Sequence, residues 1–125
     1  MKKIICAVCV GLLWASAALA EGCGNGGGTV IVGLDGTRYC KSNITMNWWS
    51  AFAWCDAAGG SLIDMTRECN KVTGETGCPN LTGVGGNQSV WTKNVPNSSY
   101  AYNVNLSSGA VSNYTRYANS YALCE

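Results

Sequence analysis

The sequence predicts a small α+β domain, and three observations support this prediction. Residues 47–60 have the pattern of one short helix with a marked start and a marked end. Several shorter segments alternate apolar and polar residues, or cluster β-branched and aromatic ones, as strands do. Six cysteines follow residue 20 in a chain that has no histidine, which indicates disulfides rather than a zinc site.

The helix is predicted to begin after Asn47, whose side-chain oxygen can accept a hydrogen bond from a free first-turn N–H. Gly59 can adopt the left-handed conformation that ends helices. One apolar face is expected at positions i, i+3, i+4 and i+7, formed by Trp48, Ala51, Phe52 and Cys55. We expect Trp48 and Phe52 to lie in the core, and most of the helix surface to be covered by other parts of the chain.

Residues 1–20 have the pattern of a signal peptide. Two lysines give the positive start, an apolar run covers residues 4–14, and Ala-Leu-Ala at residues 18–20 forms a small-residue cleavage site. Beyond this point no apolar run approaches the ~18–20 residues needed to span a bilayer. We therefore expect an exported protein of the periplasm or cell exterior, with no membrane span after cleavage. The short leader is typical of bacteria.

The glycine-rich residues 21–28 are predicted to form a flexible, irregular lead-in to one domain over residues 29–125. A hairpin is predicted over residues 29–41, and it would bring Cys23 near Cys40. The next few residues, up to position 46, lead into the helix.

After the helix, Asp64 can cap a second, short helix over residues 65–70. Residues 71–86 form a long loop, which Cys69 and Cys78 are close enough to staple. The remaining strands are predicted at residues 89–92, 100–106, 110–114 and 121–124. In the second of these, Tyr100 and Tyr102 alternate with Val104 and Leu106, so both tyrosines are expected in the core or half-buried.

Three motifs resemble C-type lectin-like domains over residues 38–124. The helix carries Trp48-x-x-Ala51-x-x-x-Cys55-x-x-x-Gly59-Gly60-x-Leu62, which is similar to the family's first-helix signature. The central strand and the closing strand of the family are matched by Val90-Trp91-Thr92 and Tyr121-Ala122-Leu123-Cys124. The resemblance implies one or two short helices packed on small antiparallel sheets, and a disulfide between Cys55 and Cys124. Together with the two short-range pairs, it would account for all six cysteines.

The usual calcium-dependent sugar site of this family is not expected here. Its Glu-Pro-Asn or Gln-Pro-Asp and Trp-Asn-Asp triplets are missing, although Pro-Asn occurs at residues 79–80 and 96–97. No acidic residue lies between Glu75 and Glu125, and calcium needs carboxylate oxygens. We therefore expect no metal and no other cofactor.

Catalysis and nucleic-acid binding are also not expected. The chain has no histidine for acid–base chemistry, and all six cysteines outside the signal peptide are predicted to form disulfides. Its few basic residues are scattered rather than clustered, which argues against nucleic acid as a ligand.

Residues 94–121 are rich in Asn, Ser and Tyr, a mixture that binding loops also use. Tyr114 and Tyr117 fall outside the clear alternation and are the best candidates for exposed contacts. The full set of candidate ligand-contact residues is Tyr114, Tyr117, Asn97, Asn113 and Trp49. For Trp49 and Trp54, packing under a loop or against a disulfide is the alternative to stacking on a sugar ring.

These observations favour a non-catalytic recognition module for a protein or glycan ligand. The first alternative is a structural or assembly component of an envelope or surface appendage. The second alternative is a carbohydrate-binding lectin with an atypical site.

Overall fold

The computed structural model describes residues 22–69 and 77–125. The predicted signal peptide and Glu21 lie outside the described residues, as do residues 70–76 of the predicted loop. Within the described residues the predicted α+β class is confirmed, since seven strands form one sheet accompanied by two α-helices and one 3-10 helix.

The elements largely follow the predicted order. The strands are β1 Gly22–Cys23, β2 Gly28–Val32, β3 Arg38–Met46, β4 Ser89–Trp91, β5 Tyr100–Asn105, β6 Val111–Thr115 and β7 Ser120–Cys124. The helices are α1 Trp48–Ala57, α2 Met65–Glu68 and the 3-10 helix Pro79–Leu81. The residues expected to lead into the first helix instead extend β3 to Met46, where they pair with β7 after a register shift.

The sheet has the order β1-β2-β3-β7-β4-β5-β6. The expectation of small antiparallel sheets is therefore wrong in one respect: there is a single mixed sheet, because β7 pairs antiparallel with β3 and parallel with β4. The last strand of the chain thus occupies the centre of the sheet. At one edge β6 has a neighbour on only one side among the described strands.

Two buried clusters lie on opposite faces of the sheet. Neighbouring residues of β7 divide between them, with Leu123 in the cluster that contains Val90 and Val104, and Ala122 in the cluster beneath α1. The cluster beneath α1 also contains Trp91, whose indole N–H donates to the carbonyl of Met46 over 2.9 Å. This bond satisfies the one polar atom of a fully buried ring.

All three expected disulfides are present. Cys23 is joined to Cys40, Cys69 to Cys78, and Cys55 of α1 to Cys124 of β7. The last of these spans 69 positions and fixes α1 on the central strand.

The glycine-rich segment is not the irregular lead-in that its composition predicted. Gly22 and Cys23 pair with β2, and a tight turn follows. At Gly24 and Gly28 an added Cβ would come within 2.8–2.9 Å of the Trp54 ring. Glycine is required here because the backbone packs directly on an indole.

Both predicted ends of α1 are confirmed, but its expected burial is not. Asn47 caps the helix by accepting from the Ser50 N–H over 2.9 Å, and Gly59 has φ +89°. Of the predicted apolar face only Ala51 and Cys55 are fully buried, Trp48 is half-buried and Phe52 is 48% exposed. At 100° per residue Phe52 lies roughly 80° from the centre of the stripe that Ala51 and Cys55 define, so it points past the sheet.

In β5 the expected alternation is blurred because both faces of the strand are covered. Ala101 and Asn103 are buried as completely as Val104. Tyr102 is half-buried as expected, but Tyr100 is 39% exposed and does not belong to the core. It stands at the start of the strand, beyond the packed part of the sheet.

Candidate ligand-contact surface

The start of α1 meets the turn between β6 and β7. The backbone N–H of Trp48 donates to the carbonyl of Arg116 over 3.0 Å. The indole N–H of Trp48 donates to the carbonyl of Thr92, at the end of β4, over 2.9 Å. These two bonds fix the first turn of the helix against the C-terminal half of the chain.

Four rings form a continuous patch at this junction, which we call the aromatic surface: Trp48, Trp49, Phe52 and Tyr117. The ring centroids of Trp48 lie 6.2 Å from Trp49 and 5.4 Å from Phe52. Trp49 in turn lies 5.0 Å from Tyr117. These separations are those of aromatic pairs in favourable tilted and edge-on arrangements.

Most of the aromatic surface faces solvent. Trp49 is 42% exposed, Phe52 48% and Tyr117 80%. Neighbouring apolar rings exposed together are unusual on a soluble domain and mark interaction sites, whereas isolated exposed apolar residues do not.

Arg116 holds the surface together from one side. Its guanidinium centre lies 4.6 Å from the Trp48 ring centroid and 6.0 Å from that of Trp49, within the range of cation–π attraction. Its side chain also donates to the carbonyl of Asn97 in the β4–β5 connection and to that of Tyr100 at the start of β5. Arg116 therefore links the helix, the β4–β5 connection and the β6–β7 turn.

The structure brings some of the predicted contact residues together and separates others. Trp49 and Tyr117 are in direct contact. Asn97 is joined to them through Arg116, but its Oδ1 accepts from the N–H groups of Ser99 and Tyr100 and so shapes the loop.

The other two candidates lie on β6. Tyr114 pairs with Ala101 and therefore shares the sheet face that α1 covers, at 49% exposure. Asn113 is exposed and projects from the opposite face, since side chains alternate along a strand.

Three residues of the site, Trp48, Phe52 and Arg116, were not among the predicted contacts. Trp48 and Phe52 were both expected in the core, but Phe52 lies at the angular edge of the predicted apolar stripe, where a helix surface turns outward. Arg116 gave no signal beyond its position next to Tyr117, because its partners are backbone carbonyls that no sequence pattern identifies.

A separate cluster of polar residues lies away from the aromatic surface, near the end of β7. Tyr39 donates to Glu68 over 2.7 Å, and Asn80 donates to Tyr39 over 3.0 Å. Arg67 pairs with both Glu68 and Glu125. Burial and the adjacent Glu68 raise the pKa of the Glu125 carboxyl.

A cavity of about 230 Å³ opens beside these groups. Its lining includes the Cys23–Cys40 disulfide, Cys124, Gly59, Arg38 and Glu125. None of the residues predicted for ligand contact borders it. We therefore take the aromatic surface as the candidate site.

Within residues 22–69 and 77–125, no three His, Cys, Asp or Glu side chains are grouped as a metal site would need. In the same part of the chain, no helix has the length and apolar character to cross a membrane. Searches of protein-family models and of curated protein sequences find no match to this chain.

Proposed function

We propose that this protein is a non-catalytic recognition module of the C-type lectin-like class, and that it binds a protein or cell-surface ligand through the aromatic surface. The observation that carries the proposal is the joint exposure of Trp49, Phe52 and Tyr117. These large rings lose little conformational entropy on binding and offer a broad contact area, as in the central residues of many interfaces.

Support for the lectin-like class comes from the way its motif residues are used. Cys55 of the first helix is bonded to Cys124 of the last strand, and Trp91 of the central motif is fully buried beside that bond. The signal-peptide pattern and the three disulfides support export to an oxidising compartment.

The surface is suited to a ligand of low charge. No acidic residue lies anywhere between residues 76 and 124, and the basic group next to the rings, Arg116, is already bonded to two carbonyls. Binding would then depend on apolar contact area and on neighbouring amide and hydroxyl groups, with weak dependence on salt.

The proposal is tested with the double variant Trp49→Ala plus Tyr117→Ala against ligands retained from a native envelope fraction and from a glycan array. Ligands of the wild-type protein should bind this variant at least about tenfold more weakly, because hot-spot aromatic residues each contribute more than ~1 kcal/mol. Leu34→Ala is the matched control, since Leu34 is 66% exposed and lies outside the surface.

Equal loss of binding in the Leu34→Ala control, or none in the double variant, would contradict the assignment. Sugar binding abolished by a chelator would instead identify a calcium-dependent lectin. Chelator-insensitive sugar binding that depends on Trp49 would identify a lectin with an atypical site, using the same surface.

A further inference from the structure

β6 leaves part of its backbone without hydrogen-bond partners. In the antiparallel β5–β6 pair the opposed residues have numbers that sum to 215, as in Tyr102 opposite Asn113. The bonds Asn105 N–H to Ala110 O and Arg116 N–H to Ser99 O belong to the same register.

Hydrogen-bonded pairs in an antiparallel ladder alternate with non-bonded ones. Ser112 and Tyr114 therefore direct their N–H and C=O groups toward β5. Val111, Asn113 and Thr115 direct theirs away from the sheet. Among the described residues, the only hydrogen bond made by these outward groups is that of the Thr115 carbonyl, which accepts from Ala118 N–H over 3.0 Å.

This edge also lacks the devices that usually protect an edge strand. Sheet edges are commonly blunted by charged side chains, proline, bulges or very short strands. β6 has five residues, Val-Ser-Asn-Tyr-Thr, with no charge and no proline, and its pairing with β5 has no register shift. By contrast, the opposite edge strand β1 has only two residues.

We propose that β6 is a dimerisation edge, where a second copy of this chain adds its own β6 in antiparallel orientation about a two-fold axis at Asn113. In this register Asn113 opposes its own copy and Val111 opposes Thr115 of the second chain. The backbone N–H and C=O groups of all three residues point away from β5, so the pairing can form up to six backbone hydrogen bonds. The Thr115 carbonyl can accept a second bond, since a carbonyl oxygen has two lone pairs.

The charges favour a second copy in this orientation. The nearest formal charge to the strand is Arg116, at its C-terminal end. Antiparallel pairing about Asn113 would place the two arginines at opposite ends of the ladder, about 20 Å apart at ~3.4 Å per residue. A parallel pairing would bring them side by side, where like charges repel.

The side chains are compatible with the same register. Tyr114 would oppose Ser112 of the second chain as a non-hydrogen-bonded pair, in which side chains approach closely. The two-fold axis is perpendicular to the sheet. Both α1 helices and both aromatic surfaces would therefore lie on the same face of a fourteen-stranded sheet. If the proposed function is correct, the dimer presents two ligand surfaces together and gains avidity.

Sedimentation velocity of the disulfide-intact protein over a wide concentration range tests this inference. The wild-type protein should show a reversible monomer–dimer equilibrium. Asn113→Pro removes one outward N–H without breaking a bond to β5, and Asn113→Lys places two like charges on the axis. Each should weaken dimerisation at least about tenfold.

Ala57→Lys is the matched control, because it adds the same charge on an exposed position of α1 and should leave the dimer unchanged. A monomeric wild-type protein at all concentrations overturns the proposal, as does a dimer that is indifferent to both Asn113 variants. Binding of an extended peptide at β6 by a protein that remains monomeric also overturns it.

A covalent trap checks the register separately. The combined variant Ser112→Cys plus Tyr114→Cys should form intermolecular disulfides on mild oxidation, because these positions would oppose each other as non-hydrogen-bonded pairs, whereas Ala57→Cys should remain monomeric. Undiminished ligand binding in the aromatic variants, with dimerisation intact, would count against the proposed function alone. The reverse result would count against the dimer alone.

Discussion

Arg116 connects three segments of chain through one side chain. Its guanidinium stacks on Trp48 and donates to the carbonyls of Tyr100 and Asn97, while its own carbonyl accepts the first N–H of α1. Sequence patterns identify neither kind of bond, since backbone carbonyls are the same in every residue. The exposure of Tyr117 could therefore be predicted from the sequence, whereas the contacts of its neighbour Arg116 could not.

Arg116→Ala should lower the free energy of unfolding by about 1–3 kcal/mol, because two charge-assisted hydrogen bonds and a cation–π contact are lost. Arg116→Lys should recover only a small part of this lost free energy, because the lysine ammonium lacks the planar guanidinium group that reaches both carbonyls. Urea unfolding of the three proteins provides the measurement. Full recovery by lysine would mean that charge alone matters at this position.

Asp64 caps α2 and is stabilised as a carboxylate. It accepts from the N–H and hydroxyl of Thr66 and from the side chain of Asn94, and these bonds hold its pKa below the ordinary value of 3.8. A lowered pKa means that its contribution to stability is present above pH 3.8 and is lost as the pH falls through the pKa of the folded state.

We therefore expect wild-type protein to be more stable than the Asp64→Asn variant at neutral pH, with the difference shrinking as the pH falls below about 4. Asparagine is an equally good cap, so the variant isolates the charge. The pKa of Glu125 is raised, so its contribution to stability grows as the pH falls, opposite to that of Asp64. This contribution is the same in both proteins and cancels when their stabilities are compared. A difference that stays constant from pH 7 to pH 2 would exclude this role for the charge.

At the scale of elements, α1 illustrates what a sequence pattern can and cannot determine. Its ends depend on local chemistry at Asn47 and Gly59, so they could be predicted. Which flank of the helix is covered depends on segments that are distant in the sequence. The turn after β1 covers Trp54, whereas no segment within residues 22–69 and 77–125 covers Phe52 in the same way.

The three disulfides should differ in what they contribute to these elements. Replacing Cys55 and Cys124 together by Ala should cost about 4 kcal/mol in the loop-entropy model, because their bond closes 69 positions, and lost packing in the core adds to this. Replacing Cys69 and Cys78, nine positions apart, should cost about 2.5 kcal/mol. Thermal unfolding of both double variants gives the comparison, and equal losses would argue that loop length is not the governing factor.

At the scale of the whole molecule, the sequence predicted six of the seven described strands, all but β1, but not their arrangement. The residues of β7 read as a strand, yet nothing local indicates that it lies between β3 and β4, or that its pairing with β4 is parallel. Likewise, β6 reads as the returning strand of a hairpin whether or not another strand follows beside it. Strand pairing joins residues that are far apart in the sequence, and it decides which strand lies at the edge of the sheet.

A proline substitution should have opposite effects on folding in a central strand and in an edge strand. Ala122 lies in the central strand, and its N–H donates to the Ser42 hydroxyl over 2.9 Å. Ala122→Pro should therefore unfold the protein, at a cost of roughly 3 kcal/mol or more. Asn113→Pro on the edge strand should fold, with a small change in melting temperature. Circular dichroism of both variants checks the pair, and similar behaviour would contradict the strand order.

The central place of β7 has a consequence for how the molecule is made. Six strands precede it along the chain, and neither core cluster is complete until it arrives to contribute Leu123 and Ala122. Closure of the sheet and oxidation of Cys55 with Cys124 therefore both wait until residues 120–124 have been synthesised and have left the ribosomal exit tunnel. Until then the sheet is divided into β1-β2-β3 and β4-β5-β6, because β7 is the strand that joins these two halves.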